Sequence, residues 1–368
     1  MAEPALKPET DGRHPRLSER LIGHGAAEDL LLSAYASGRL PHGWLITGPR
    51  GVGKATLAYR FARFLLENGS PEQAGGLFGA PPPPVSLDIP MDSRTWRLMA
   101  QGGHPGLTAV ERAWDDKAKR LRGEIVVDDI RRLHGFFGMT ADAPWRIAII
   151  DSADEMNRQS ANALLKMLEE PPKRAVLLLL AHAPGRLLPT IRSRCQTLAL
   201  RPLADNQVAS VLEGQGIALP PADRDLIIAL SGGSPGRAMA LAEAGGAELY
   251  RKASGLLAEL PRMNPVALHA LGDAVAGRQA IDDFRLLGEL LDGILKRLIA
   301  YGATRGADHG AVPGEAALFE RVAGRAGLDQ WLEVWENTGH LFARGEAVNL
   351  DPKQVTLTVF SRLQAITA

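Results

Sequence analysis

The stretch GPRGVGKAT, residues 48–56, carries glycines and a lysine at the spacing that cradles phosphate. In such a loop the glycines open the backbone so that successive N–H groups face the anion. The lysine then neutralises charge on the β and γ groups. Gly48, Gly51, Gly53 and Lys54 can do all of this. A hydrolysing loop reads G-x-x-x-x-G-K and then Ser or Thr, whose hydroxyl holds magnesium. Here that position is Ala55, which cannot ligate a metal, and Thr56 comes one residue late, about 100° further round a helix. Taken alone, a glycine-rich helix start needs no ligand.

A second centre is IAIIDSADE, residues 147–155. Asp151 ends an apolar run, where an acid helps to hold magnesium in nucleotide-hydrolysing loops. The next residue, where a water-orienting glutamate would stand, is Ser152, which cannot act as a base. Each departure removes a different part of a hydrolytic site and leaves the phosphate cradle. The expectation is a fold built for ATP that has lost turnover, with weak ATP or ADP binding allowed but not required. Two arginine segments complete the set. LLPTIRSRCQTL contains Arg192 and Arg194, either surface residues or a finger aimed at another subunit's γ-phosphate, a task that suits a planar and permanently charged fork. LSGGSPGRAMAL places Arg237 just inside a short helix, either folded over a nucleotide at Lys54 or solvated.

These residues need elements to position them. HGWLITG reads as a buried strand running into the glycines, and KATLAYRFARFLL puts Leu57, Phe61, Phe64 and Leu65 on one helix face. Residues 69–90, rich in Pro and Gly, read as a surface insertion. GEIVVDDIRRLHGFF predicts a short strand leading into a helix, and WRIAIIDSADEMN a buried strand ending in acids. A helix over RQSANALLKMLEE follows, capped by Asn157 and stopped by Pro171 and Pro172. AVLLLLA and CQTLALRPL give the last strands. Strands alternating with helices imply a parallel sheet with helices on both faces. Beyond residue 204 the pattern is helical. The expected division is a tail at 1–18, an α/β P-loop domain at 19–203, a small helical lid at 204–246 and an all-helical C-terminal domain at 247–368.

Composition limits the alternatives. Lys plus Arg and Asp plus Glu both number 42, so bulk electrostatic capture of nucleic acid or membrane is disfavoured, although DDKAKRLR at 115–122 is a local basic run. Cys195 is the single cysteine, which excludes an internal disulfide and a multi-cysteine zinc site. No stretch approaches the roughly 18 apolar residues of a membrane span, and the N-terminal residues lack a secretory signal's apolar core. A cytoplasmic protein with no metal is expected.

With these residues in hand, the chain resembles the bacterial clamp-loader subunits of the AAA+ family. The resemblance rests on GRLPHGWLITGPRGVGKATLAYRFARFLL, NRQSANALLKMLEEPP, PTIRSRC and GGSPGRAMAL, in family order over roughly residues 20–245. It implies a hetero-pentamer with gamma/tau and delta subunits, part of the DNA polymerase III holoenzyme, that loads a sliding clamp onto primed DNA during replication. It implies further that Arg194 is an arginine finger acting in trans, that Arg237 is the lid's sensor arginine, and that the C-terminal helices form an oligomerisation collar. Ala55 and Ser152 separate the chain from the family's ATPase motors, so little or no ATPase and no polymerase activity of its own are expected. The alternative is a gamma/tau-like motor in which Thr56 or a water replaces the missing ligand. Many relatives bind zinc through four cysteines after the P-loop helix; this chain has none there.

Overall fold

The computed structural model describes residues 14–70, 84–115, 120–138, 143–277, 280–304 and 312–368. Much of the expected insertion (71–83), most of the tail, and parts of the 115–122 run lie outside the described residues. The chain divides into two compact units, Met1–Gln207 and Val208–Ala368.

The first unit contains strands β1 (Gly43–Thr47), β2 (Leu107–Val110), β3 (Trp114–Asp115), β4 (Arg120–Leu121), β5 (Arg146–Ile150), β6 (Ala175–Ala181) and β7 (Gln196–Ala199). Its helices are α1 (Gly25–Ala36), α2 (Lys54–Asn68), α3 (Arg94–Ala100), α4 (Val127–Gly138), α5 (Arg158–Glu169) and the one-turn α6 (Pro189–Arg192). Five strands form one parallel sheet in the order β2-β5-β6-β1-β7, while β3 and β4 pair as a separate antiparallel ribbon. Central strands covered on both faces carry unbroken apolar runs, and all seven residues of β6 and all five of β1 are buried.

The helices follow from local chemistry. Asn157 caps α5 by accepting the Ser160 amide at 3.0 Å, and Ala161, Leu164, Met167 and Leu168 form its buried stripe. Leu57, Phe61, Phe64 and Leu65 of α2 are buried as the pattern predicts. Arg60 and Arg63 are buried with them. Arg60 pairs with Glu28 and Asp88 at 2.9 and 2.8 Å and donates to the Glu19 carbonyl. Arg63 stacks 3.5 Å from the Trp96 ring centroid and donates to the carbonyl of Ser18. These two side chains strap the segment before α1 onto α2.

The structure corrects one reading of the region before β5. No strand forms over residues 124–127: Ile125 makes only an isolated bridge to Met156, and Val127 already opens α4. One edge strand of the sheet is β2, beyond the sequence reading, and it is preceded by α3, whose Ser93 hydroxyl accepts the Trp96 amide at 3.0 Å.

Helix α7 (Asp205–Gly214) spans the division between the units. The second unit continues as α8 (Pro221–Ser231), α9 (Pro235–Glu243), α10 (Gly246–Ala258), α11 (Pro265–Ala274), α12 (Ala280–Thr304), α13 (Glu315–Val322), α14 (Leu328–Ala347) and α15 (Pro352–Thr367). The long helices α12 and α14 pack together, α15 lies against α11 and α14, and α10 touches α11, α12 and α13. At the junction of α10, α12 and α13 sits one fully buried carboxylate, Glu315. It accepts the Tyr250 hydroxyl at 2.7 Å and the Arg297 Nε and Nη2 groups at 2.6 Å each.

Candidate nucleotide-binding site

In open parallel sheets the ligand crevice lies beyond the carboxyl ends of the strands, and most of the candidate residues gather there. The chain leaves β1 at Thr47 and turns through Gly48, Gly51 and Gly53, whose φ angles are 144°, 76° and 113°. A side chain at Gly48 would bring a Cβ within 2.5 Å of the Leu200 carbonyl oxygen, and one at Gly53 within 2.9 Å of a Leu21 methyl. Glycine is therefore demanded here by backbone angle and by packing together. Helix α2 starts at Lys54 directly after the turn, so its N-terminal amides border the loop.

Lys54 is buried, and its Nζ donates to the carbonyls of Gly48 and Pro49 at 2.7 and 2.8 Å. Burial pulls its pKa down to about 8; the carboxylates of Asp151 and Asp154 resist that fall, and Arg50 adds to it. Ala55 and Thr56 occupy the first turn of α2, both half-buried, with no hydroxyl at the residue after the lysine.

The neighbouring strand ends complete the edge. Asp151 follows β5, and Ser152 adopts a left-handed conformation with φ 58°. The Ser152 hydroxyl lies 3.1 Å from Nε2 of His182, the first residue after β6. Asp154 accepts the amides of His182 and Ala183 at 3.1 and 2.8 Å, which locks the 153–155 turn onto the end of β6. Its carboxylate is thereby committed to the backbone. Glu155 pairs with Arg112 at 2.8 Å. The His182 pKa is lowered, first by burial and then by the Lys54 charge, so the imidazole is held neutral beside the cradle. Its Nδ1 is buried and has no hydrogen-bond partner. Sequence reasoning missed His182. A lone histidine after an apolar run carries no signal until the strand order sets it between β1 and β5.

The residues fit a polyphosphate: open amides, a lysine, and a neutral imidazole with an unused ring nitrogen. They lack one ligand of a loop-bound magnesium ion, because Ala55 has no hydroxyl, and Ser152 stands where a water-orienting carboxylate would be. Lys54 sets the pH response. An anion favours the charged amine, so binding takes up a proton wherever the free lysine is neutral. If ATP binds here, its affinity is expected to be flat below pH 8 and to fall above it, by up to tenfold per unit. Isothermal titration at pH 7, 8 and 9 in two buffers of different ionisation heat would check both, with Lys54→Met abolishing the pH dependence.

Arg194 is not part of this edge. It precedes β7, whose Gln196 is in register with Trp44 of β1, so it lies level with the beginning of β1. A Cβ on Gly43 would stand 3.3 Å from the Arg194 carbonyl oxygen. From Gly43 to Gly48 the strand climbs about 16 Å, well beyond the reach of an arginine side chain. The guanidinium pairs with Glu169 at 2.8 Å and donates to the Thr190 carbonyl at 3.0 Å. Arg192 is exposed near it. Arg237 belongs to the second unit, exposed in the first turn of α9, its amide donating to the Ser234 hydroxyl at 3.3 Å.

Residues 23–204 match the family described as DNA polymerase III, delta subunit. The chain is similar to DNA polymerase III subunit delta' of Pseudomonas aeruginosa, 39% identical over 198 residues, 53% of this chain and 53% of that protein. The delta' subunit of Bacillus subtilis is 32% identical over 193 residues, 51% of each chain. DNA polymerase III subunit gamma/tau of Mycobacterium bovis is 29% identical over 294 residues, 75% of this chain and 45% of that protein. The chain spans about half the length of the curated relatives it matches.

Proposed function

We propose, for a chain that belongs through residues 23–204 to the DNA polymerase III delta-subunit family, the role of a non-motor AAA+ subunit in a clamp-loader complex. It would stand beside gamma/tau and delta subunits, contribute the scaffold through its helical unit, and present Arg194 to the nucleotide of an adjacent ATPase subunit. The complex would load a sliding clamp onto primed DNA.

The observation that carries this reading is the placement of Arg194 at the opposite end of the strands from Gly48 and Lys54, level with the start of β1. An arginine so placed has no access to its own loop. If it serves a nucleotide, that nucleotide is held by another chain. Ala55 and Ser152 support the non-motor half of the proposal, since each subtracts one hydrolytic group while the cradle stays intact. Lys54 keeps weak binding of ATP or ADP within reach.

The intact cradle, and the match to gamma/tau over 75% of this chain, favour a second reading as an ATPase motor. The isolated chain distinguishes the two. Under the scaffold role it hydrolyses ATP no faster than buffer alone, with or without primed DNA. Steady turnover that Lys54→Met abolishes would make it a motor.

A further inference from the structure

We propose that Glu169 is a positioning residue for Arg194, holding the guanidinium where a neighbouring subunit's phosphate meets it; the inference rests on the finger role assigned above. The side chain of Arg194 leaves the surface after the one-turn α6 and is 36% exposed. Unrestrained, such a chain samples many rotamers, and a finger loses rate through that freedom. Two contacts remove it. Nη1 donates to the Thr190 carbonyl within the local turn, and Nη2 meets Oε1 of Glu169, the last residue of α5. A guanidinium has five N–H donors in one plane, so two fixed contacts orient the plane and leave three donors for an anion.

The carboxylate is itself well placed. At the end of α5 the Leu168 carbonyl lies 2.9 Å from Nε2 of His42, just before β1. Gly43 allows the approach: a Cβ there would come within 3.0 Å of a Leu168 methyl and 3.3 Å of both the Arg194 oxygen and the Cys195 sulfur. The end of α5 and the segment entering β7 therefore meet over the same glycine. Pro171 and Pro172 prevent α5 from running on, which leaves its last carboxylate facing Arg194.

The test is a double-mutant cycle in the reconstituted complex, reading steady-state ATP hydrolysis with clamp and primed DNA, and assembly by size exclusion. Glu169→Ala is expected to lower kcat by about twofold or more with KM unchanged. Glu169→Asp should recover part of the loss. In the Arg194→Ala background, Glu169→Ala should change nothing further. An equal loss in both backgrounds, or none with Arg194 present while Arg194→Ala itself is impaired, would overturn the positioning role and leave the finger standing. If Arg194→Ala is itself without effect, the finger reading fails, and the positioning role falls with it.

Discussion

If Arg194 serves a neighbouring subunit's nucleotide as proposed, Arg194→Ala in the assembled complex is expected to depress ATP turnover sharply while the chain folds and assembles as before. The stability side is straightforward. Arg194 is exposed, and its pair with Glu169 is an exposed ion pair of the kind worth about 0–1 kcal/mol, so its loss should barely move the unfolding transition. Under the proposed role the catalytic side is large. Fingers supplied in trans are worth roughly 10³–10⁵ in rate at the site they serve. Turnover summed over a complex with several sites would fall by less, because the others still fire. Arg194→Lys should behave like alanine rather than like wild type, since an ammonium lacks the planar fork that spans phosphoryl oxygens. The fall should appear in kcat, with nucleotide affinity at the neighbouring site little changed, as suits an interaction realised in the transition state. Unchanged turnover in a correctly assembled Arg194→Ala complex would remove the trans role altogether.

Why these residues were readable, and others not, has a physical basis. β1, β5 and β6 are central parallel strands, and covered strands of that kind write themselves as short continuous apolar runs. The edge strand β2 does not: of LTAV only Val110 is buried, so four residues of mixed exposure left no period to detect. Helix α3 spans seven residues, too few to display a stripe. The glycine loop was legible because it is contiguous, and its glycines answer to both backbone angle and sterics. Lys54, Asp151 and His182 belong together only through the strand order, and just the first two carried enough chemical type to be singled out. Arg60 and Arg63 were hidden by the assumption that a helix has one apolar face; their partners, among them Glu28, Asp88 and the Ser18 carbonyl, lie far off in sequence. The same holds for Glu169, 25 positions before Arg194, whose proximity depends on the end of α5 and the segment entering β7 meeting over Gly43.

Removing the buried carboxylate of the helical unit is the second large effect expected. Glu315 is 1% exposed and accepts three hydrogen bonds, one from Tyr250 and two from Arg297. Glu315→Ala leaves a phenol and a guanidinium without their acceptor at the meeting of α10, α12 and α13. Breaking a buried pair from one side costs about 3–5 kcal/mol; with Arg297 about a quarter exposed, water relieves part of this, and the lower end applies. Glu315→Gln keeps an acceptor but turns an amide towards a cation, so an intermediate loss of about 1–3 kcal/mol is expected. Urea unfolding followed in the second unit would resolve both, and a loss below about 1 kcal/mol for alanine would refute the assignment. The node also has an alkaline signature. Burial, reinforced by the Glu315 charge, raises the Tyr250 pKa above 10. The unfolded chain then releases that proton first, and stability falls as pH climbs past 10. If the helical unit carries assembly, Glu315→Ala should lose the complex at temperatures where Arg194→Ala still forms it. Turnover would then fail for want of a neighbour to serve, and lower temperature, which restores the fold, should restore it.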